Sequence, residues 1–197
     1  MTKTLYLMRH GQTLFNKRHR IQGWCDAPLT DLGVYQAQVA GQYFKNAGIT
    51  FDAAYSSTSE RACDTLEIVT NGSLPYQRVK GLKEWNFGTF EGESEDLNPP
   101  LPYEDFFVTY GGESQDQVRD RMAATILQLM QETKGKSVLM VSHGGAMANF
   151  ARAWEDNWQL DNLGHMTNCG ILKFSFEDDQ FYLEEAIGHD FSGWEEK

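Results

Sequence analysis

Short and almost uninterrupted apolar runs constrain the fold of this chain more than any other feature of its sequence. Residues 4–9 and 137–142 are two such runs, each bounded by polar residues, and residues 51–56 form a third. Runs of this length and composition are typical of strands that are buried on both faces of a sheet. Helical patterns lie between them, and strands that alternate with helices indicate a layered protein. We therefore predict an α/β fold, a three-layer sandwich with a mostly parallel central sheet flanked by helices.

Capping residues and the helical spacing of apolar side chains predict where the helices begin. Thr30 is suited to cap a helix that runs to about residue 46. Ser114 and Gln117 make a capping box, in which each side chain bonds the backbone N–H of the other residue. The remaining predicted elements are helices over residues 59–70 and 145–154 and a terminal hairpin of residues 170–176 and 181–186.

Residues 91–113 interrupt this regular order. The segment is acidic and contains three prolines. A loop of this length in a compact domain is usually functional or mobile. Two interpretations are open, a lid beside the functional site and an inert surface insertion. Because no linker or repeat divides the chain, we predict a single domain over residues 1–197 that carries this insertion.

The charge distribution argues for a small anionic ligand. The net charge of −11 disfavours a general binder of nucleic acid or of anionic membranes. The first 25 residues nevertheless contain five basic and no acidic residues. Local positive charge on an acidic protein suits one small anion held at one site, although a solvated basic loop would have the same composition.

The lengths of the apolar runs and the spacing of the cysteines indicate the cellular compartment of the protein. No apolar run approaches the roughly 18 residues that a membrane span needs, so we predict no membrane partner. The three cysteines are widely spaced and form no CxxC pair, which argues against a disulfide framework and against a structural zinc site. We therefore expect a reducing, cytoplasmic environment.

Two predicted strands end in the same pair of residues, His-Gly. His10 follows the strand over residues 4–9, and His143 follows the strand over residues 137–142. Parallel strands bind ligands outside their carboxyl ends, so both imidazoles are expected at one crevice. Arg61, early in the helix after residues 51–56, can reach the same rim. Taken singly, such residues are often structural. Together, however, the guanidinium forks of Arg9 and Arg61 and the two imidazoles predict an anion site with a possible nucleophile.

Residues 9–16, Arg-His-Gly-Gln-Thr-Leu-Phe-Asn, resemble the RHGxTxxN signature of the histidine phosphatase superfamily, which includes the phosphoglycerate mutases. Further matching segments follow in the order of that family, and together they span residues 5–145. They are residues 20–24, 26–33, 56–65, 84–92 and 142–144. The signature alone is a weak signal, but the combination is highly specific.

The resemblance implies a role for each of five residues. His10 would attack the phosphorus atom and carry the phosphoryl group as a phosphohistidine. Arg9, Arg61 and His143 would hold the three equatorial oxygens of that group. Glu84 would protonate the departing alcohol oxygen and later take a proton from the attacking water.

The resemblance also implies further phosphate contacts, which come from Asn16, Gln22, Gly23 and Gly144. The implied activity is metal-independent hydrolysis of a phosphomonoester, with a small phosphorylated metabolite as substrate, inorganic phosphate as product, and no cofactor or nucleic acid. His165 and His189 lie outside the matching segments and are interpreted as surface or packing residues. The natural substrate and the oligomeric state are not predicted.

Mutases and hydrolases of this family share these residues. Cofactor-dependent mutases are longer and continue after the acidic residue with a motif rich in Arg, His and Tyr. After Glu84 this chain reads Trp-Asn-Phe-Gly, which is closer to the hydrolases, and no second basic cluster follows to hold a carboxylate. The sequence therefore favours phosphomonoester hydrolysis, with a phosphoglycerate mutase as the alternative.

Two other classes of site use the same residues. His10, His143 and Glu84 could bind a metal ion, but Arg9 and Arg61 would repel it and no HExxH spacing is present. The chain could also be an inactive relative that only binds a phosphorylated ligand. Against that interpretation, every expected catalytic position is filled.

Overall fold

A computed structural model describes residues 2–164 and 166–195, so His165 lies outside the described residues. The strands are β1 (Lys3–Arg9), β2 (Ala53–Ser57), β3 (Gln77–Val79), β4 (Ser137–Ser142), β5 (Ile171–Glu177) and β6 (Gln180–Ile187). They form one sheet in the order β3-β2-β4-β1-β5-β6. The first four strands in this order are parallel to one another, whereas β5 is antiparallel to both of its neighbours. The predicted α/β sandwich with a mostly parallel sheet is therefore confirmed.

Helices cover both faces of the sheet, which explains why the central strands are apolar throughout. The helices are α1 (Leu14–Lys17), α2 (Asp31–Asn46), α3 (Glu60–Val69), α4 (Gln115–Glu132) and α5 (Gly144–Arg152). Leu5 and Leu7 of β1 belong to a core cluster with α4 and α5, whereas Tyr6 and Met8 belong to a second cluster with α2 and α3. Alternate side chains of a strand point to opposite faces, so a strand with helices on both sides must be apolar at every position.

The two predicted helix caps are present. The Thr30 hydroxyl accepts the N–H of Gly33 at 3.0 Å, so α2 begins where its cap predicts. Ser114 and Gln117 make both bonds of the capping box at the start of α4. These bonds satisfy donors that the first turn of a helix otherwise leaves unpaired. No helix among the described residues is long and apolar enough to cross a membrane.

The inserted segment, residues 91–113, packs against the core through aromatic side chains and is hydrogen-bonded to neighbouring loops. Phe107 is fully buried, and its ring lies 4.8 Å from that of Phe87 and 6.3 Å from that of Trp85. Two short 3-10 turns, Glu95–Leu97 and Phe106–Tyr110, divide the segment. The segment is therefore held to the rest of the chain at several points. Its role as a lid and the single domain over residues 1–197 stay predictions.

Candidate active site

The centre of the sheet brings the two His-Gly pairs together. β1 and β4 are parallel neighbours, and Arg9 is the register partner of Ser142. The next residue of each strand end is a histidine, so His10 and His143 lie side by side. Their ring centroids are 5.2 Å apart, with the planes at 62°. Residues that are 133 positions apart in the sequence are thus neighbours at the carboxyl edge of the sheet.

Hydrogen bonding determines which nitrogen of His10 is available for reaction. Its Nδ1 lies 2.7 Å from the carbonyl oxygen of Gly11, and a carbonyl can only accept, so Nδ1 carries the proton. Burial, followed by the charges of Arg61 and Arg9, lowers the pKa of His10 well below its usual value. The ring is therefore neutral, and its Nε2 retains a lone pair. A side chain at Gly11 would meet the Gly33 carbonyl oxygen at 2.5 Å, so only glycine permits this tight turn beside α2.

Stability should depend on pH through the buried histidines. The folded-state pKa of His10 and of His143 lies below the unfolded value of about 6.5, so the unfolded state binds more protons as pH falls through that value. The free energy of unfolding should therefore decrease below about pH 6.5, by roughly 1.4 kcal/mol per pH unit for each histidine. In urea unfolding over this range, His10→Gln should give a slope shallower by about that amount. Equal slopes for the variant and the wild-type protein would contradict the depressed pKa of His10.

The two predicted arginines lie beside His10 and have different attachments. Arg61 is fully buried; its Nη atoms donate to the carbonyl oxygens of Gly23 (2.8 Å) and Cys25 (2.9 Å) and pair with Asp26 (2.9 Å). Arg9 donates through Nη1 to the carbonyl of Met166 at 2.6 Å. The third nitrogen of each guanidinium, Nε, is buried and has no partner among the described residues.

His143 adds another buried nitrogen to this group. The residue is fully buried, and burial followed by the charge of Arg61 lowers its pKa well below the usual value. Its Nε2 lies 2.8 Å from the Ser57 hydroxyl, and its Nδ1 has no partner in the part of the chain that the structure describes. Buried polar atoms are rarely left unpaired in proteins. Three such nitrogens, on Arg9, Arg61 and His143, therefore leave hydrogen-bonding capacity for a ligand.

A cavity of about 600 Å³ opens at Arg9 and His10. Six of the predicted site residues line it: Arg9, His10, Asn16, Gln22, Glu84 and Gly144. Arg61, His143 and Gly23 do not line it. Gln22 Oε1 accepts the Thr13 hydroxyl at 2.6 Å, and its Nε2 is buried without a partner among the described atoms. Asn16 Oδ1 accepts the N–H of Thr13 at 3.1 Å and so helps to cap α1.

For Gly23 the structure differs from the sequence-based expectation. Its N–H donates to Glu91 at 3.0 Å, and its carbonyl accepts from Arg61, so neither backbone group is available to a phosphate. Glu91 also accepts the N–H groups of Trp24 (2.7 Å), Cys25 (2.9 Å) and Phe87 (3.1 Å). The carboxylate of Glu91 therefore already binds the Gly23 N–H, the one of these four donors that was expected to contact the phosphate. The one signal in the sequence for this role of Glu91 is that the residue lies within the matching segment 84–92.

Glu84 lies at the start of α5, where its carboxylate is held by backbone donors. Oε1 accepts the N–H groups of Ala146 (2.6 Å) and Trp85 (2.8 Å), and Oε2 accepts only that of Gly145 (2.9 Å). A Cβ at Gly145 would lie 2.9 Å from Oε1, so glycine at this position leaves room for the carboxylate. With a single donor, Oε2 keeps the capacity to exchange a proton with a group in the cavity.

The far wall of the cavity is apolar and has two exposed arginines at its edge. Its residues come from five parts of the chain, and the sequence alone did not indicate most of them. They are Trp85, Phe87, Leu101, Pro102, Tyr103, Met166, Arg20 and Arg152. Leu101, Pro102 and Tyr103 belong to the inserted segment, so this segment forms part of the site.

Within the described ranges, no group of three His, Cys, Asp or Glu side chains could hold a metal ion.

Comparisons with known proteins agree with this geometry. The family model of the histidine phosphatase superfamily (branch 1) matches residues 5–187. A 2,3-bisphosphoglycerate-dependent phosphoglycerate mutase from Parvibaculum lavamentivorans is 30% identical over 83% of this chain and 82% of the relative. A metal-independent phosphoserine phosphatase from Arabidopsis thaliana is 28% identical over 89% and 88% of the two chains. The solved structure of an Entamoeba histolytica phosphoserine phosphatase with 3-phosphoglyceric acid superimposes with a TM-score of 0.76, at 29% identity and over 94% and 97% of the chains.

Proposed function

This chain belongs to branch 1 of the histidine phosphatase superfamily, and we propose that it hydrolyses phosphomonoesters through a phosphohistidine on His10. One observation carries this proposal. A neutral imidazole with a free Nε2 lies at the cavity, beside the buried guanidinium of Arg61, the partly buried guanidinium of Arg9 and a second imidazole. This combination supplies a nucleophile together with donors for an oxyanion.

The proposed reaction has two steps. In the first, His10 Nε2 attacks the phosphorus atom, the ester P–O bond breaks, and Glu84 gives its proton to the departing alcohol oxygen. In the second, water attacks the phosphohistidine, Glu84 takes the proton of that water, and inorganic phosphate leaves with His10 restored. Arg9, Arg61 and His143 stabilise the charge on the equatorial oxygens in both steps. Since Arg9 and Arg61 supply positive charge themselves, the mechanism calls for neither a metal ion nor a cofactor.

The cavity supports a small phosphorylated substrate. The phosphoryl end meets the polar residues of the sheet edge, and the leaving group would lie against the wall that Trp85, Phe87 and Tyr103 form. The related Entamoeba structure contains 3-phosphoglyceric acid, which is a molecule of this class. The three cysteines are free thiols, which agrees with the proposed cytoplasmic setting.

A phosphoglycerate mutase is the second candidate. It is favoured by the matching mutase from Parvibaculum lavamentivorans and by Arg20 and Arg152, which line the cavity and could hold a carboxylate. The Trp-Asn-Phe-Gly sequence after Glu84 supports the hydrolase instead. Incubation with 3-phosphoglycerate and the bisphosphate primer separates the two: a hydrolase releases inorganic phosphate, and a mutase forms 2-phosphoglycerate.

Changing Glu84 to glutamine should reduce hydrolysis in a way that depends on the leaving group. An alkyl alcohol leaves poorly without a proton, so kcat/KM for alkyl phosphates should fall by about 10²–10⁴. An activated aryl phosphate scarcely needs an acid in the first step, so the rate of phosphoenzyme formation from it should change much less. Rapid-quench measurement of that step with matched alkyl and aryl phosphates tests the prediction. Equal losses for both substrates would show that Glu84 is not the proton donor.

A further inference from the structure

Ser57, at the carboxyl end of β2, contacts His143, the second histidine of the candidate active site. It is fully buried, and its Oγ lies 2.8 Å from Nε2 of His143. The same oxygen accepts the N–H of Ser59 at 3.2 Å. In the described ranges, His143 Nε2 is the one acceptor within hydrogen-bonding distance of this hydroxyl.

These contacts distinguish between the two neutral forms of His143. If Nε2 carried the proton, it would donate to Ser57, the serine hydrogen would have no acceptor, and Nδ1 would present a lone pair to any bound anion. If Nδ1 carries the proton, the serine donates to Nε2, every hydrogen at this contact is used, and Nδ1 becomes a donor. Because burial lowers the pKa of His143, the ring is neutral and only one nitrogen carries a proton. A buried group left without a partner is destabilising, so the second form is favoured.

We infer that Ser57 is a positioning residue whose hydroxyl holds His143 in the form protonated on Nδ1, so that Nδ1–H donates to a phosphoryl oxygen. The inference rests on the proposed function and adds a residue to it. It also explains why two adjacent imidazoles perform different tasks. The Gly11 carbonyl accepts from Nδ1 of His10 and leaves Nε2 free to attack, whereas Ser57 donates to Nε2 of His143 and leaves Nδ1–H to bind.

Nitrogen-15 NMR of the ligand-free protein at neutral pH tests the inference directly. Two-bond couplings distinguish a protonated from an unprotonated imidazole nitrogen, and the His143→Asn variant assigns the signals. The wild-type protein should show His143 protonated on Nδ1. In Ser57→Ala this form should lose its dominance, and kcat/KM should fall by about 10–100-fold, as is common when the group that orients a site histidine is removed. Ser57→Thr, which retains the hydroxyl, should restore the wild-type protonation pattern.

Ser56 provides the matched control. It precedes Ser57 in β2, is equally buried, and its hydroxyl has no partner among the described residues. Ser56→Ala should therefore leave the His143 signals unchanged and kcat/KM within about twofold. A wild-type His143 protonated on Nε2, or a Ser57→Ala protein with the protonation pattern of Ser56→Ala, would overturn the inference. A wild-type protein protonated on Nδ1 that hydrolyses no phosphomonoester would contradict the proposed function and still support the contact from Ser57.

Discussion

Changing His10 to alanine is expected to lower kcat/KM by a factor on the order of 10⁵–10⁶, the size of loss that follows removal of a covalent nucleophile. The reason is that Nε2 of His10 is the atom that would bond to phosphorus, and the variant has no substitute for it. Steady-state rates on one alkyl and one aryl phosphate measure the loss. Trapping in acid or base adds a direct readout, because a phosphohistidine survives base and is released by acid. The wild-type protein should form this adduct.

His189 offers a control for the loss of an imidazole. It is half-buried, its ring lies 5.3 Å from that of Tyr43, and it does not line the cavity. His189→Ala should retain the adduct and nearly all the activity. A His10→Ala protein that unfolds cooperatively but still forms an acid-labile adduct would show that another residue is the nucleophile. That result would end the proposed mechanism.

The sheet was predictable where burial leaves a strong pattern. β1 and β4 are apolar at successive positions because helices pack on both faces, and this pattern is visible in the sequence alone. β3 was not predicted. It has only three residues, it pairs at the edge of the sheet, and Gln77 and Arg78 are exposed. An edge strand this short carries no periodicity, so only its pairing with β2 defines it.

The site residues were predictable where they lie in short sequence segments next to a predicted strand. His10 and His143 each follow a strand that the apolar pattern identifies, and parallel pairing brings them together. The contact from Ser57 to His143 could not be deduced, because it depends on the separation of two side chains 86 positions apart. The bond from the Gly23 N–H to Glu91 could not be deduced for a similar reason. The amino-acid sequence is the same whether the Gly23 N–H is free or already bonded to Glu91.

Changing Arg9 to methionine should cause the second largest loss, about 10³–10⁵ in kcat/KM, as expected for an arginine that stabilises phosphoryl-transfer charge. Methionine retains much of the length of the side chain and removes the charge. The fold should tolerate the change, because the Arg9 side chain makes one hydrogen bond within the described residues, to the carbonyl of Met166. Removing Arg61 would instead break its bonds to residues 23–26, so a loss of activity there would not separate chemistry from structure.

Two further variants show whether the loss of activity in Arg9→Met comes from the missing charge or from the missing donor geometry. Arg9→Lys keeps the positive charge but not the fork of donors that matches paired oxygens, so its activity should lie between those of Arg9→Met and the wild-type protein. Arg78→Met removes an exposed arginine that does not line the cavity, and it should leave kcat/KM unchanged. Product inhibition by inorganic phosphate gives an independent measure of anion binding, and it should weaken in the same order as the activity. If Arg9→Met retains both wild-type turnover and wild-type inhibition by phosphate, the buried Nε of Arg9 does not bind the phosphoryl group, and the oxyanion must be held elsewhere in the cavity.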